Sequence, residues 1–196
     1  MTSQLATRAC PACTGKEKSL LHHQRFVLPA GYPVRAGYDV VYCLRCGMMF
    51  ADFPSSQAEL DTYYGTQAKI ASVPERRNPE HSPDYIRHKT FCQWVETLGI
   101  GKSTRILDGG CGNGGVLRLL RNAGYQNLYG MDPVRECCEI AHLCSGAECR
   151  DGSFSSHQWG DETFDVIIST QVLEHIYDLA AIIGDMKKLL SPEGMI

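Results

Sequence analysis

Residues 105–132 read RILDGGCGNGGVLRLLRNAGYQNLYGMD, and this stretch decides the fold. The apolar pair Ile106-Leu107 runs into Asp108 and a glycine cluster. An amphipathic run follows, then a second apolar segment that ends on Asp132. The pattern reads as a strand (RILD), a helix (GVLRLLRNAG) and a second strand (NLYGMD). In the helix Val116, Leu117, Leu119, Leu120 and Ala123 face inward, and Gly124 ends it. Gly110, Gly112 and Gly115 fit the G-x-G-x-x-G spacing with which a backbone cradles a dinucleotide pyrophosphate.

Asp108 argues against a pyrophosphate. It stands two residues before the first glycine of that spacing. Unit like charges about 4 Å apart repel by about 4 kcal/mol at an effective dielectric near 20. A ligand carrying a sulfonium and an ammonium would instead welcome the carboxylate, and S-adenosylmethionine carries both and no phosphate. Asp132, 24 residues further on, ends the next strand, where a carboxylate can accept both ribose hydroxyls. That acid serves NAD equally, so Asp108 is the discriminating residue. Asp151, in RDGSF, falls after the third strand, where it could accept from an adenine amino group with help from the backbone of residues 152–154.

Elements alternate outward from this core. YIRHKTFCQWVETLG, from Tyr85, places Ile86, Phe91, Trp94, Val95 and Leu98 at near-helical spacing, with Gly99 as C-cap. VRECCEIAHLC is a helix and FDVIIST a strand suited to burial on both faces. DLAAIIGDMKKLLS is a helix closed by Pro192 and Gly194, after which SPEGMI turns into another strand. Such alternation predicts an α/β, Rossmann-like, doubly wound and mostly parallel sheet. The sheet is expected to be incomplete at its C-terminal side, as in a fragment of a longer protein.

The first 54 residues differ. CPAC (Cys10, Cys13) and CLRC (Cys43, Cys46) form two C-x2-C pairs with 29 residues between them. Four thiolates give a closed tetrahedral site suited to structural zinc. Thr14-Gly15 and Gly47 leave room for backbone N–H groups to reach the sulfurs, and FVLPAGYPVRAGYDVVY supplies strand–turn–strand material between the pairs. His22 and His23 read as surface residues rather than substitute ligands. The other six of the ten cysteines carry no metal pattern: Cys111 fits its loop as a small residue, and Cys137, Cys138 and Cys144 read as core positions. The expected organisation is a zinc-ribbon-like β module at 1–54, a lid helix (55–65) and linker at 55–84, and a partial cofactor-binding domain at 85–196.

No apolar run approaches the about 20 residues that span a bilayer, and the N-terminus lacks the apolar core of a signal peptide, so the expected compartment is the cytoplasm. The formal net charge is −3. Residues 1–60 hold six Lys and Arg against four Asp and Glu, and residues 90–196 hold eight against fourteen. Neither part has the basic excess of a nucleic-acid binder.

ILDGGCGNGG, YGMD, RDGSF, FDVIISTQVLEHI and LLSPEGM, in that order, resemble the successive motifs of class I S-adenosylmethionine-dependent methyltransferases over residues 85–196. The resemblance implies cofactor contacts from Asp108, Gly110, Cys111 and Gly112, with Asp132 and Pro133 at the ribose, Asp151 and Gly152 at the adenine, and Gln171 completing the site. Gly109 departs from the family, which usually has a branched apolar residue there, and is expected to soften the loop without abolishing binding.

The N-terminal cysteine module, the Tyr63-Tyr64 pair and the VLEHI segment together are similar to zinc-containing methyltransferases of sugar, polysaccharide and natural-product pathways. That likeness implies a substrate site lined by His175, Glu174 and Tyr64 or Tyr63. A histidine can remove the proton beside a ketosugar carbonyl while a tyrosine hydroxyl steadies the enolate. LEH segments also occur in O-methyltransferases, where His175 packs or hydrogen-bonds. The implied partner is a small-molecule acceptor. The alternatives are a generic O-methyltransferase and an RNA methyltransferase gripping RNA with its zinc module. The charge balance and the STQV segment, which lacks an Asn-Pro-Pro-Tyr signature, disfavour the RNA reading.

Overall fold

The computed structural model describes residues 8–28, 36–52, 84–154 and 158–196. The chain divides into two compact units, residues 1–64 with 176–181 and residues 65–175 with 182–196. The expected lid helix at 55–65 and almost all of the linker lie outside the described residues. Among the described residues no helix is long and apolar enough to cross a membrane.

The first unit carries an antiparallel meander of β1 (Lys18–Arg25), β2 (Gly37–Cys43) and β3 (Met49–Asp52). The first strand is KSLLHHQR, not the FVL that the sequence pointed to. The cysteine loops set this register. Lys18 pairs with Cys43 and Leu44 N donates to Glu17 O, so pairing starts at the second cysteine pair and runs out at Arg25 opposite Gly37. Cys10, Cys43, Val41 and Phe50 are buried together. Arg8 donates to the Tyr177 carbonyl and lies over the Tyr177 ring, 4.2 Å from its centroid.

The second unit runs α1 (Tyr85–Thr97), β4 (Arg105–Gly109), α2 (Gly115–Asn122), β5 (Asn127–Asp132), α3 (Arg135–Ser145), β6 (Glu148–Asp151), β7 (Phe164–Ile168), a 3-10 turn (Leu173–His175), α4 (Leu179–Lys188) and β8 (Leu190–Met195). The sheet order is β6-β5-β4-β7-β8, and all four neighbouring pairs are parallel. The chain therefore builds outward from β4 to one edge, then returns to its other side at β7. That reversal puts a crevice beside the carboxyl end of β4. Ile106 and Leu107 are fully buried, as are Leu117, Leu120 and Phe164. Arg121 closes two helix ends at once, donating to the carbonyls of Ser145 and Gly146 at the end of α3 and of Tyr125 and Gln126 after α2. Those carbonyls would otherwise be left without partners.

Two expectations need correction. On α1 the buried line is Cys92 and Val95, with His88 half-buried one turn earlier, whereas Ile86, Trp94 and Leu98 are exposed. The i, i+4, i+7 line of 88, 92 and 95 meets α2: Cys92 Sγ donates to Val116 O at 3.7 Å. The last helix does not reach Ser191. It stops at Lys188, and Pro192 and Gly194 lie inside β8. An edge strand tolerates proline, and the register break between the Phe164–Leu190 and Val166–Met195 pairs accommodates it.

Gly109 is not a soft point. A Cβ there would meet the Phe154 ring, 2.0 Å from Cζ, so the ring fills the space a branched residue would occupy. Gly109→Val should therefore lower stability by about 1–3 kcal/mol through overpacking. Gly109→Val combined with Phe154→Ala should recover most of that loss, as read by chemical denaturation. Simple additivity of the two single losses would refute the exchange.

Candidate functional site

Three acids end three adjacent parallel strands: Asp108 near the end of β4, Asp132 on β5 and Asp151 on β6. Asp132 and Asp151 are register partners, and Gly152 N donates to Asp132 O at 3.0 Å. The glycine loop turns away from β4 in left-handed conformations, with φ of 84° at Gly110, 49° at Gly112 and 77° at Gly114. Non-glycine residues adopt these values at a cost, and glycine does so freely. The turn brings Gly110 N and Cys111 N onto Met131 O and Gly112 N onto Asp132 Oδ2 at 3.0 Å. Val134 N donates to Asp132 Oδ1 at 2.9 Å. Each carboxylate oxygen thus spends one lone pair on the backbone and keeps capacity for a hydroxyl donor. Burial raises the Asp132 pKa, and these two N–H groups hold the rise back.

Asp108 is 2% exposed, and its Oδ1 has no hydrogen-bond partner among the described residues. Burial first, and then the charge of Asp132, push its pKa from 3.8 to about 7. A buried carboxylate oxygen without a donor fits a cationic N–H donor and repels a phosphate. With the two-point hold on Asp132, the donor set fits a positively charged ligand that also bears a diol.

Three side chains abut the loop where glycine leaves space. Phe154 faces Gly109, Val172 Cγ2 lies 2.2 Å from the position of a Cβ on Gly110, and His88 Nδ1 lies 2.5 Å from that of a Cβ on Gly115. Burial lowers the His88 pKa. Val172 opens the 3-10 turn that carries Glu174 and His175, and its carbonyl accepts from His175 N at 2.8 Å. Both of those side chains are exposed, and the segment sits beside the glycine loop through Val172. Gln171 is exposed in a left-handed conformation, φ 59°, and Pro133 is exposed after β5. Cys111 is buried behind the loop. Tyr63 and Tyr64 lie outside the described residues. Sequence reasoning missed the side chains of Phe154, Val172 and His88. The signal was indirect: a glycine with no required φ, such as Gly109, leaves space for a distant side chain.

In the first unit the sulfurs of Cys10, Cys13, Cys43 and Cys46 all lie within 4.8 Å of one another. Cys10 and Cys46 approach to 3.6 Å, as do Cys13 and Cys43. A tetrahedron with 2.3 Å bonds to sulfur has edges of about 3.8 Å, so the spacing fits one four-coordinate ion. The two loops share one hydrogen-bond pattern. Thr14 N donates to Cys10 O and Cys10 N to Gly15 O; Gly47 N donates to Cys43 O and Cys43 N to Met48 O. Thr14, φ 59°, takes the left-handed place that Gly47 takes in the second loop. Burial opposes ionisation of Cys43, but N–H groups of Cys46 and Arg45 and the neighbouring thiols bring it down to about 7. His22 and His23 are exposed, and His23 pairs with Asp39 at 2.7 Å rather than with the sulfurs.

A family described as Methyltransferase domain matches residues 84–196. The chain belongs to this family. A ubiquinone biosynthesis O-methyltransferase of Bordetella avium is 25% identical over 147 residues, covering 71% of this chain and 59% of the relative. One from Rhizobium rhizogenes is 29% identical over 153 residues, covering 71% and 61%. The chain thus spans about three-fifths of the length of these curated relatives. The magnesium protoporphyrin IX methyltransferase of Synechocystis, solved with bound S-adenosylmethionine, superposes with a TM-score of 0.55 at 16% identity, covering 69% of this chain and 72% of that one. This likeness identifies the fold of the methyltransferase domain.

Burial ties the protonation of Asp108 to stability. Its folded pKa lies above the unfolded value, so the folded protein holds the extra proton; stability from this group is full below about pH 4 and is lost as pH rises towards 7. Asp108→Asn should raise the melting temperature of the ligand-free methyltransferase domain at pH 8, by up to about 4 kcal/mol in stability, and leave it unchanged near pH 4. The same variant should weaken binding of S-adenosylmethionine by about 10- to 100-fold at pH 8, as calorimetry would read. A variant that binds normally would remove Asp108 from the cofactor site.

Proposed function

We propose that the protein transfers the methyl group of S-adenosylmethionine to a small-molecule acceptor, with a sugar or nucleotide-linked sugar as the first choice. The unpartnered Oδ1 of Asp108 in the glycine loop carries the cofactor half of this reading. The cofactor, when bound, supplies an electrophilic methyl on a sulfonium. Asp108 would face its cationic end, with Gly110, Cys111 and Gly112 lining the turn. Asp132, oriented by Gly112 N and Val134 N, would accept from the ribose hydroxyls beside Pro133. Asp151 and Gly152 would flank the adenine, and Gln171 would close the crevice from the other side of β4.

His175 would remove the acceptor proton, with Glu174 as its neighbour in the chain, and the hydroxyl of Tyr64 would steady the enolate. The adjoining positions of Val172 and Gly110 support this role, because they tie the 3-10 turn to the loop that holds the cofactor. The sugar assignment is supported by the four-cysteine module ahead of the domain. A second reading, methylation of a hydroxyl on another small molecule, is favoured by the ubiquinone biosynthesis O-methyltransferases among the curated relatives. In the sugar reading His175 acts as base, whereas in the second reading it packs or hydrogen-bonds. The four thiolates of Cys10, Cys13, Cys43 and Cys46 would hold a structural zinc, with no open coordination position for chemistry.

The protein should bind S-adenosylhomocysteine and fail to bind NADH in the same calorimetric cell; the reverse preference would overturn the cofactor reading. His175→Ala should lower turnover by roughly 10²-fold or more with an activated acceptor, with cofactor affinity retained. A near-normal rate would assign the residue to packing. Product analysis by mass spectrometry and NMR separates a new C–CH3 bond from an O–CH3 bond.

Metal analysis should find about one zinc per chain. A chelator should unfold the first unit, seen as loss of amide protection in β1 to β3, because metal binding and folding are coupled in four-thiolate modules. Protection that survives metal removal would show that the meander stands without the ion.

A further inference from the structure

Arg8 stands two residues before Cys10, and its main chain is fastened on both sides. Arg8 N donates to Asp52 Oδ1 at 2.9 Å, and Lys18 Nζ donates to Arg8 O at 2.7 Å. Lys18 and Asp52 are themselves an ion pair at 2.7 Å. That pair joins the first residue of β1 to the last of β3, so Arg8 is tied to both outer strands of the meander. The Arg8 guanidinium lies 5.7 Å from the ring centroid of Phe50, which is buried with Cys10 and Cys43.

From this base Arg8 reaches Tyr177. Residues 176–181 belong to the same compact unit as the meander. Arg8 Nη2 donates to Tyr177 O at 2.5 Å, and the guanidinium carbon lies 4.2 Å from the centroid of the Tyr177 ring. A hydrogen bond to the main chain fixes where a residue stands, and a planar cation over its ring fixes how it is turned. Arg8 Nε is buried with no hydrogen-bond partner among the described residues. The guanidinium therefore stays over the ring in spite of the cost of an unpaired buried donor.

Tyr177 is the middle of a three-residue link, residues 176–178, between the 3-10 turn and α4. Before the link, His175 N donates to Val172 O at 2.8 Å. After it, Asp178 Oδ1 accepts from Ala181 N at 3.0 Å and caps α4. Both ends of the link are thus held by their own elements, and Arg8 holds its centre.

We propose that Arg8 is a positioning residue for the acceptor base: it fixes the main chain two residues after His175 and, through it, the direction of the imidazole. The inference rests on the reading of His175 as that base. The four-cysteine module then serves the reaction without touching the acceptor, as the anchor of Arg8.

The test uses the zinc-loaded full chain, isotope-labelled in its histidines, and NMR of the His175 Cε1–H group, assigned by its absence in His175→Ala. Arg8→Ala should shift or broaden that resonance and leave the His88 resonance, the zinc content and the affinity for S-adenosylhomocysteine unchanged. With a nucleoside-diphosphate-linked ketosugar as acceptor, Arg8→Ala should lower kcat roughly 10- to 100-fold and leave KM for S-adenosylmethionine within about twofold. In a His175→Ala background the same substitution should cause no further loss, because both residues act through one imidazole. An unmoved His175 resonance in Arg8→Ala, or losses that multiply in the double variant, would overturn the proposal and leave the reading of His175 intact. A near-normal rate in His175→Ala would overturn that reading and this inference with it. Where Arg8→Ala loses the fold of the first unit, Tyr177→Ala removes the ring contact from the other side, with the same shift of the His175 resonance expected. Where the ketosugar is not turned over, the resonance alone decides.

Discussion

The methyltransferase domain is organised around a carboxylate that has been buried and left incomplete. Asp108 sits at the end of the central strand, 2% exposed, with one oxygen unpartnered and Asp132 close enough to raise its pKa further. Burying such a group lowers stability, so the arrangement makes sense where a positive ligand completes it. The doubly wound topology explains why the group lies there. The chain reverses direction across the sheet between β4 and β7, and the carboxyl end of β4 is where helices on neither side close over the strands. On the proposed reading, charge would then select among the nucleotides that such a crevice could hold.

The loop that follows is shaped by what its glycines lack. Gly110, Gly112 and Gly114 supply left-handed turns, and Gly109, Gly110 and Gly115 supply space. Phe154, Val172 and His88 enter that space from the segment after β6, from the turn before His175 and from α1. The loop is thereby packed on three sides by parts of the chain that are distant in sequence. One of them, Val172, leads directly into the proposed acceptor site.

The cysteines divide by environment. Four stand in two loops of matching hydrogen-bond pattern, where backbone N–H groups of Cys46 and Arg45 favour the Cys43 thiolate. Cys111 and Cys138 lie among apolar walls and donate to backbone carbonyls, as thiols do. Residue type alone does not separate these groups.

The alternation of apolar runs, the glycine spacing and the acids at strand ends were legible in the sequence because each is local. Strand pattern, helix period and left-handed turns depend on neighbours within about four residues, and RILDGGCGNGG followed by NLYGMD contains them all. The C-x2-C pairs were legible for the same reason, since each knuckle is closed by its own backbone. Only the tertiary structure decided which face of α1 is buried, because Ile86 and Cys92 are both apolar and the choice belongs to α2. It also decided that Pro192 and Gly194 sit inside an edge strand, since pairing with β7 outweighs their local preference for a turn. The same holds for Phe154 over Gly109 and for Val172 over Gly110. Those contacts join residues brought together by the sheet, and the physical reason they escape a sequence reading is that the decisive feature is an empty space, which only the folded neighbours can fill.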